Sequence, residues 1–199
     1  MRACVCLFIL WVLPALSGTG ARGQVFWLEK RSDSLYVLTL ETRTADGQRR
    51  SMSRWKLPYP VYRMATGDVD GDGREEALVG VVKRTRYSPE VDRRLFVFKN
   101  VKGHIRPLWM GTRLGGRLVD FRVCNGRLRS LERSTDGQRF AVAEYGWSRF
   151  GPAFERYLTK NRNQYESMEI FHGNRHPDGR ARTDRPDGRV QTQRRPGQP

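Results

Sequence analysis

The middle of the chain, residues 24–158, is built from short segments in which apolar and polar side chains alternate, separated by glycine-containing turns. In SLYVLTLETRT, residues 34–44, the period is two and the residues are rich in β-branched and aromatic types, which is typical of a strand. Asp46-Gly47 is a strong hairpin-turn signal. No segment before residue 150 shows a sustained apolar i, i+3, i+4 spacing. The sequence therefore predicts an all-β, antiparallel domain.

Three stretches of this region resemble copies of one unit. Their equivalent strands are LYVLTL at 35–40, LFVFKN at 95–100 and FAVAEY at 140–145. Aligning Gly73 with Gly126 makes the turn at residues 124–126 the counterpart of the acidic segment described below. Three units predict a partial or open β-propeller-like arrangement, since closed propellers typically have at least four blades. Exposed sheet edges would then favour a homo-oligomer.

Several connections are predicted within and after these units. Ser88–Asp92 reads as a loop, and the two prolines at 58 and 60 make residues 58–65 irregular after a strand. GPAFERYLTKNRNQY, residues 151–165, has Pro152 near its start and predicts one short helix. Residues 159–171 are expected to be a linker or short helix. Residues 172–199 are rich in Pro, Gly, Arg and Asp, and predict a disordered basic tail.

The first 23 residues have the pattern of a secretory signal peptide. A short positive start precedes the apolar run at residues 3–16 and a group of small residues, and this run is shorter than the ~20 residues that span a bilayer. Cleavage after Ser17, Ala21 or Gly23 fits equally, and an uncleaved anchor is the alternative. We expect export to the periplasm or the extracellular space, with no transmembrane segment after cleavage. Cys124 would then be the one remaining cysteine, without an internal disulfide.

The segment GDVDGDGREE concentrates five acidic residues in a chain whose formal net charge is +16. Three aspartates alternate within it, and its glycines permit the positive φ values that a tight curl needs. Side chains this close repel one another unless a cation is bound. An oxygen-only donor set suits Ca²⁺. The alternative is an acidic turn that binds nothing. The predicted ligands are Asp68, Asp70, Asp72, the Arg74 carbonyl and Glu76.

This loop differs from an EF-hand, because Val79 stands where a bidentate Glu is needed and the next residues predict a buried strand rather than a helix. The stretch GDVDGDGREEALVG, specific around residues 67–80, resembles the calcium loop of FG-GAP (VCBS-type, integrin α-like) repeats, including those of short secreted bacterial proteins. That resemblance implies a β-blade, a structural Ca²⁺ site with the same five ligands, and Glu75 pointing away from the ion.

No catalytic arrangement is recognisable, so we expect no enzyme. There is no nucleophile elbow and no phosphate-binding loop. The sequence favours a secreted, non-catalytic binding protein that has a structural Ca²⁺ and binds an unknown protein or polysaccharide ligand. A less favoured hypothesis is a cryptic metal-assisted hydrolase.

The alternative function is an Arg-rich surface that binds an anionic polymer: acidic polysaccharide, lipid headgroups or nucleic acid. The 37 Lys and Arg residues outnumber 21 Asp and Glu. Arginines and aromatic residues interleave in SRWKLPYPVYR and YGWSRFGPAFERY, which suits anionic ligands. Core aromatics between solvated arginines would give the same pattern.

Overall fold

The computed structural model describes residues 24–43, 48–111 and 113–173. They form three consecutive antiparallel sheets followed by one short helix. The first sheet contains β1 Gln24–Ser32, β2 Leu35–Arg43 and β3 Arg49–Leu57. The second contains β4 Val61–Gly67, β5 Glu76–Thr85, β6 Ser88–Val101 and β7 His104–Met110. The third contains β8 Arg117–Cys124, β9 Arg127–Arg133, β10 Phe140–Ser148 and β11 Gly151–Arg162, and α1 is Gln164–His172.

Each sheet is a meander, in which strands that follow one another in the sequence are neighbours. The predicted all-β, antiparallel fold of three blade-like units is therefore confirmed. Across the described ranges the three sheets lie in a row and do not close into a ring. The predicted signal peptide, the Asp46-Gly47 turn and nearly all of the predicted tail lie outside the described residues.

Two apolar clusters hold the three sheets together. Between the first and second sheets, Leu38 and Leu40 pack with Val79 and Phe96. Between the second and third, the core residues include Leu78, Val97, Phe121 and Leu128. The second sheet is thus covered on both faces, which explains why the sequence of β5 is a continuous apolar run instead of an alternating one.

The helix α1 covers the far side of the third sheet. Ile170 and Phe171 are buried against Leu131 and Val142. Asn163 caps the start of the helix: its side-chain oxygen accepts a hydrogen bond from the backbone N–H of Glu166. Gly173 caps the end, with a positive φ of 82°.

The helix predicted at residues 151–165 is wrong, because β11 occupies most of that segment. Pairing with β10, for example Tyr157 opposite Ala143, decides the conformation there. Pro152 is compatible with this strand because β11 lies at the edge of its sheet. The expected linker or helix at 159–171 is divided: the strand continues to Arg162, and the helix follows.

Two segments predicted to be irregular are also strands. Ser88–Asp92 belongs to β6, where Asp92 pairs with Lys83, so the loop is only a tight turn at residues 86–87. Val61–Gly67 forms β4, which pairs with β5. The two prolines lie in the connection between the first and second sheets, so they do not interrupt a strand.

The predicted repeat corresponds to equivalent positions in the sheets. The three strand sequences LYVLTL, LFVFKN and FAVAEY lie on β2, β6 and β10, each the last strand but one of its sheet. The acidic segment joins β4 to β5, and the turn at residues 125–126 joins β8 to β9, the same step one unit later. Gly73 and Gly126 both have positive φ, 80° and 70°.

Candidate cation site in the loop between β4 and β5

The acidic loop, residues 68–75, is held between the second and third sheets. Val69 is buried in the apolar cluster that joins them. Gly67 lies so close to β8 that a Cβ there would be 2.7 Å from a methyl carbon of Val123. A Cβ on Gly126 would lie 3.4 Å from the carbonyl oxygen of Asp68. The loop therefore packs against the equivalent turn at residues 125–126, and the shape of the loop is coupled to the contact between the two sheets.

Carboxylate oxygens of the loop accept hydrogen bonds from its own backbone. The Oδ1 and Oδ2 atoms of Asp68 accept from the N–H groups of Gly71 and Gly73, at 2.7 and 2.9 Å. Asp70 Oδ1 accepts from the N–H of Asp72 at 3.1 Å. Gly71 and Gly73 have φ values of 78° and 80°, which a residue with a Cβ adopts only at a cost. These turns curl the backbone around the acidic side chains.

Glu76, the first residue of β5, is completely buried. Its Oε2 accepts from the N–H groups of Val69 and Asp70, at 3.0 and 3.4 Å, while its Oε1 has no hydrogen-bond partner. Burial raises the pKa of this carboxyl to about 7, and the charges of Asp70 and Asp72 act in the same direction. A buried carboxylate oxygen without a partner is costly, so this atom needs a donor or a cation.

Three of the five predicted ligands come together in the structure. Asp68, Asp70 and Glu76 each offer a carboxylate oxygen, and these three atoms lie within 4.8 Å of one another. Asp72 is not in this group. Its Oδ2 is 3.0 Å from Nζ of Lys99, and the same ammonium lies 2.5 Å from Asp70 Oδ2. The hydrogen bond from Lys99 lowers the pKa of Asp72.

Arg74, the fifth predicted ligand, is an exposed loop residue whose N–H donates to Asp72 Oδ1 at 2.9 Å. That its carbonyl binds an ion stays a prediction. Glu75, expected to point away, is exposed.

Lys99 is the site residue that the sequence did not reveal. It lies on β6, far from the loop in sequence, and strand pairing alone brings it there: Phe98 pairs with Ala77, which places Lys99 beside the start of β5. The register of the β5–β6 hairpin was the signal that could have identified it. Lys99 places a positive charge at the outer side of the carboxylate group, next to Asp70 and Asp72.

Other candidates from the sequence have no role at this loop. His104 is an exposed residue at the start of β7. Cys124 is half-buried and makes no disulfide within the described part of the chain. Among residues 24–43, 48–111 and 113–173, no helix has the length and apolar character that crossing a membrane requires.

Fold and loop together define an open stack of three antiparallel sheets that carries an acidic cluster able to hold a metal ion. A scan against protein-family models, a search of curated proteins and a search of solved structures each found no match to the chain. The geometry of the fold and of the acidic loop is therefore the basis for proposing a function.

Proposed function

We propose that the chain is a non-catalytic binding module in which the β4–β5 loop holds one structural Ca²⁺ ion. The observation that carries this proposal is the buried Oε1 of Glu76, which lacks a partner in a carboxylate group that also contains Asp68 and Asp70. All the donors are oxygens, with no His or Cys among them, and hard oxygen donors favour Ca²⁺. The resemblance of residues 67–80 to FG-GAP calcium loops agrees with this choice.

The ion would stabilise the folded state and would not take part in catalysis. Its positive charge would offset the repulsion among the carboxylates and the cost of burying Glu76. Because Val69 lies in the core between the second and third sheets, fixing the loop would also fix that contact. Asp72, whose carboxylate pairs with Lys99 at the outer side of the site, would not bind the ion directly.

Export is part of the proposal and depends on the signal-like pattern of residues 1–23. Ca²⁺ sites of extracellular modules bind with Kd values of about 10⁻⁴–10⁻³ M. With Kd near 10⁻⁴ M, a free Ca²⁺ concentration one hundred times the Kd stabilises the folded state by about 2.7 kcal/mol. For a domain of this size that corresponds to roughly 5–10 °C in melting temperature.

Thermal unfolding of the full chain in Ca²⁺, in Mg²⁺ and in chelator tests the proposal. We expect Ca²⁺ to raise the melting temperature and Mg²⁺ to raise it less. Asp70→Asn should remove the gain because it removes a ligand charge while keeping the turn. Asp33→Asn, in the exposed turn between β1 and β2, makes the same charge change away from the loop and should keep the gain. A wild-type melting curve that is identical in Ca²⁺ and in chelator contradicts the proposal.

A further inference from the structure

A second site lies at the opposite end of the third sheet. It is a cavity of about 230 Å³ bounded by the turn after β9, the start of β10 and the end of β11. Glu132 and Ala141 lie opposite each other across its floor. Strand β9 runs from the turn beside the acidic loop to this cavity, and its seven residues separate the two sites by about 20 Å. The cavity is therefore independent of the metal site.

A buried carboxylate forms the polar floor of this cavity. Glu132 is only 2% exposed, and its Oε1 accepts hydrogen bonds from the hydroxyls of Ser130 at 2.6 Å and Tyr145 at 2.7 Å. Its Oε2 makes no hydrogen bond or ion pair with a described residue. That oxygen points toward Gly115 and Gly116, which also line the cavity: a Cβ at either position would lie 3.3 or 3.0 Å from it. Glu132 thus presents an oriented acceptor to whatever enters.

The rim of the cavity has the opposite charge. Arg133, Arg139 and Lys160 line it, all three are exposed, and none forms an ion pair with a residue that the structure describes. Three cations around one buried carboxylate leave a net positive rim. A ligand that suits both parts must donate hydrogen bonds at one end and carry a negative charge at the other.

Exposed aromatic rings continue outward from the cavity. Tyr157, which lines it, is 41% exposed and lies 4.7 Å, between ring centroids, from Phe154, which is 51% exposed. Two neighbouring apolar rings on a polar surface indicate a contact surface. The C–H face of a pyranose ring is apolar while its edge carries hydroxyls, so a sugar fits a floor acceptor beside aromatic rings.

We propose that this cavity binds one hexuronate unit of an acidic polysaccharide. The hydroxyls of the unit donate to Glu132 Oε2, its carboxylate meets Arg139 and Lys160, and its ring lies against Tyr157. The cavity is smaller than the ~300–1,000 Å³ typical of drug-sized pockets, which suits a single sugar ring. A simple carboxylate such as acetate has no hydroxyl for Glu132, and a neutral sugar makes no use of the rim. The inference goes beyond the proposed function and needs no metal.

Calorimetric titration of the full chain in chelator separates this binding from the calcium site. Galacturonate is the probe, with galactose as the neutral sugar and acetate as the acid without hydroxyls. Because hydrogen bonds to charged groups contribute more than neutral ones, we expect galactose and acetate to bind at least about tenfold more weakly than galacturonate. Trigalacturonate should bind at least as tightly as the single unit, as a site for a polymer requires.

Variants assign the binding to the cavity. Arg139→Gln and Lys160→Gln are exposed changes that should keep the fold, and each should weaken galacturonate binding by about tenfold. Glu132→Gln should also weaken it. Arg54→Gln, on an exposed position of the first sheet, makes the same charge change and should leave binding unchanged.

Any one of the following results overturns the inference. The first is no galacturonate binding up to about 20 mM, well above the Kd of a weak specific site. The second is acetate binding as tightly as galacturonate, or trigalacturonate failing to bind. The third is Arg139→Gln and Lys160→Gln behaving like Arg54→Gln.

Discussion

Glu76→Gln separates the cost of the buried charge from the gain of a bound cation. The substitution keeps the size and the acceptor oxygen that Val69 and Asp70 use, and it removes the charge. The new amide N–H groups would face the carboxylates of Asp68 and Asp70, which can accept them. In chelator the variant should therefore be more stable than the wild type, although it replaces a fully buried residue of the site.

The magnitude follows from the pKa of Glu76. Raising it from its ordinary 4.5 to about 7 corresponds to about 3 kcal/mol. Because the folded-state pKa lies above the unfolded one, this group favours folding fully below about pH 4.5, and the contribution is lost as pH rises through about 7. At pH 8 in chelator we expect the free energy of unfolding of Glu76→Gln to exceed that of the wild type by up to about 3 kcal/mol. This corresponds to a melting temperature roughly 6–12 °C higher, and the difference should shrink toward pH 4.5.

Urea unfolding followed by circular dichroism at both pH values measures this difference. Saturating Ca²⁺ should reverse the order at pH 8, because only the wild type keeps the full ligand set. Glu75→Gln is the matched control: Glu75 is the exposed neighbour, and its change should stay within about 0.5 kcal/mol. A Glu76→Gln variant less stable than the wild type in chelator at pH 8 would refute the reasoning.

Two further predictions concern Lys99 and the helix. Lys99→Met removes the ammonium that lies beside Asp70 and Asp72, so calorimetry should show Ca²⁺ binding about threefold to tenfold tighter than in the wild type. Lys56→Met, on the exposed face of the first sheet, should leave the Ca²⁺ affinity unchanged. Equal Ca²⁺ affinities of Lys99→Met and the wild type would exclude competition by Lys99. Phe171→Ala empties a site that is 1% exposed and should cost about 3–5 kcal/mol in urea unfolding. Met168→Ala, at a residue 38% exposed on the same helix, should cost about 1 kcal/mol or less; similar small losses for both would show that α1 does not stabilise the third sheet.

Local signals in the sequence were sufficient for the strands and for part of the loop. Period-two alternation and glycine turns act over a few residues, so the meander of three sheets was predictable. Asp68, Asp70 and Glu76 were also predictable, because one curled loop brings them together.

Contacts between distant residues were not predictable in the same way. Strand β11 has a helix-compatible sequence and becomes a strand because β10 offers it a partner. Asp72 turns to Lys99 because the β5–β6 register brings that lysine to the loop. The floor acceptor Glu132 and the rim cation Lys160 meet only through the pairing of β9, β10 and β11.

The most direct test of the central claim is the number of Ca²⁺ ions that one chain binds. Calorimetric titration of the chelator-treated full chain at pH 7.5 should give one Ca²⁺ per chain, and Glu76→Gln should bind none under the same conditions. A wild-type chain that binds no Ca²⁺, or a Glu76→Gln chain that binds it with unchanged stoichiometry and affinity, would contradict the assignment of the β4–β5 loop as a calcium site.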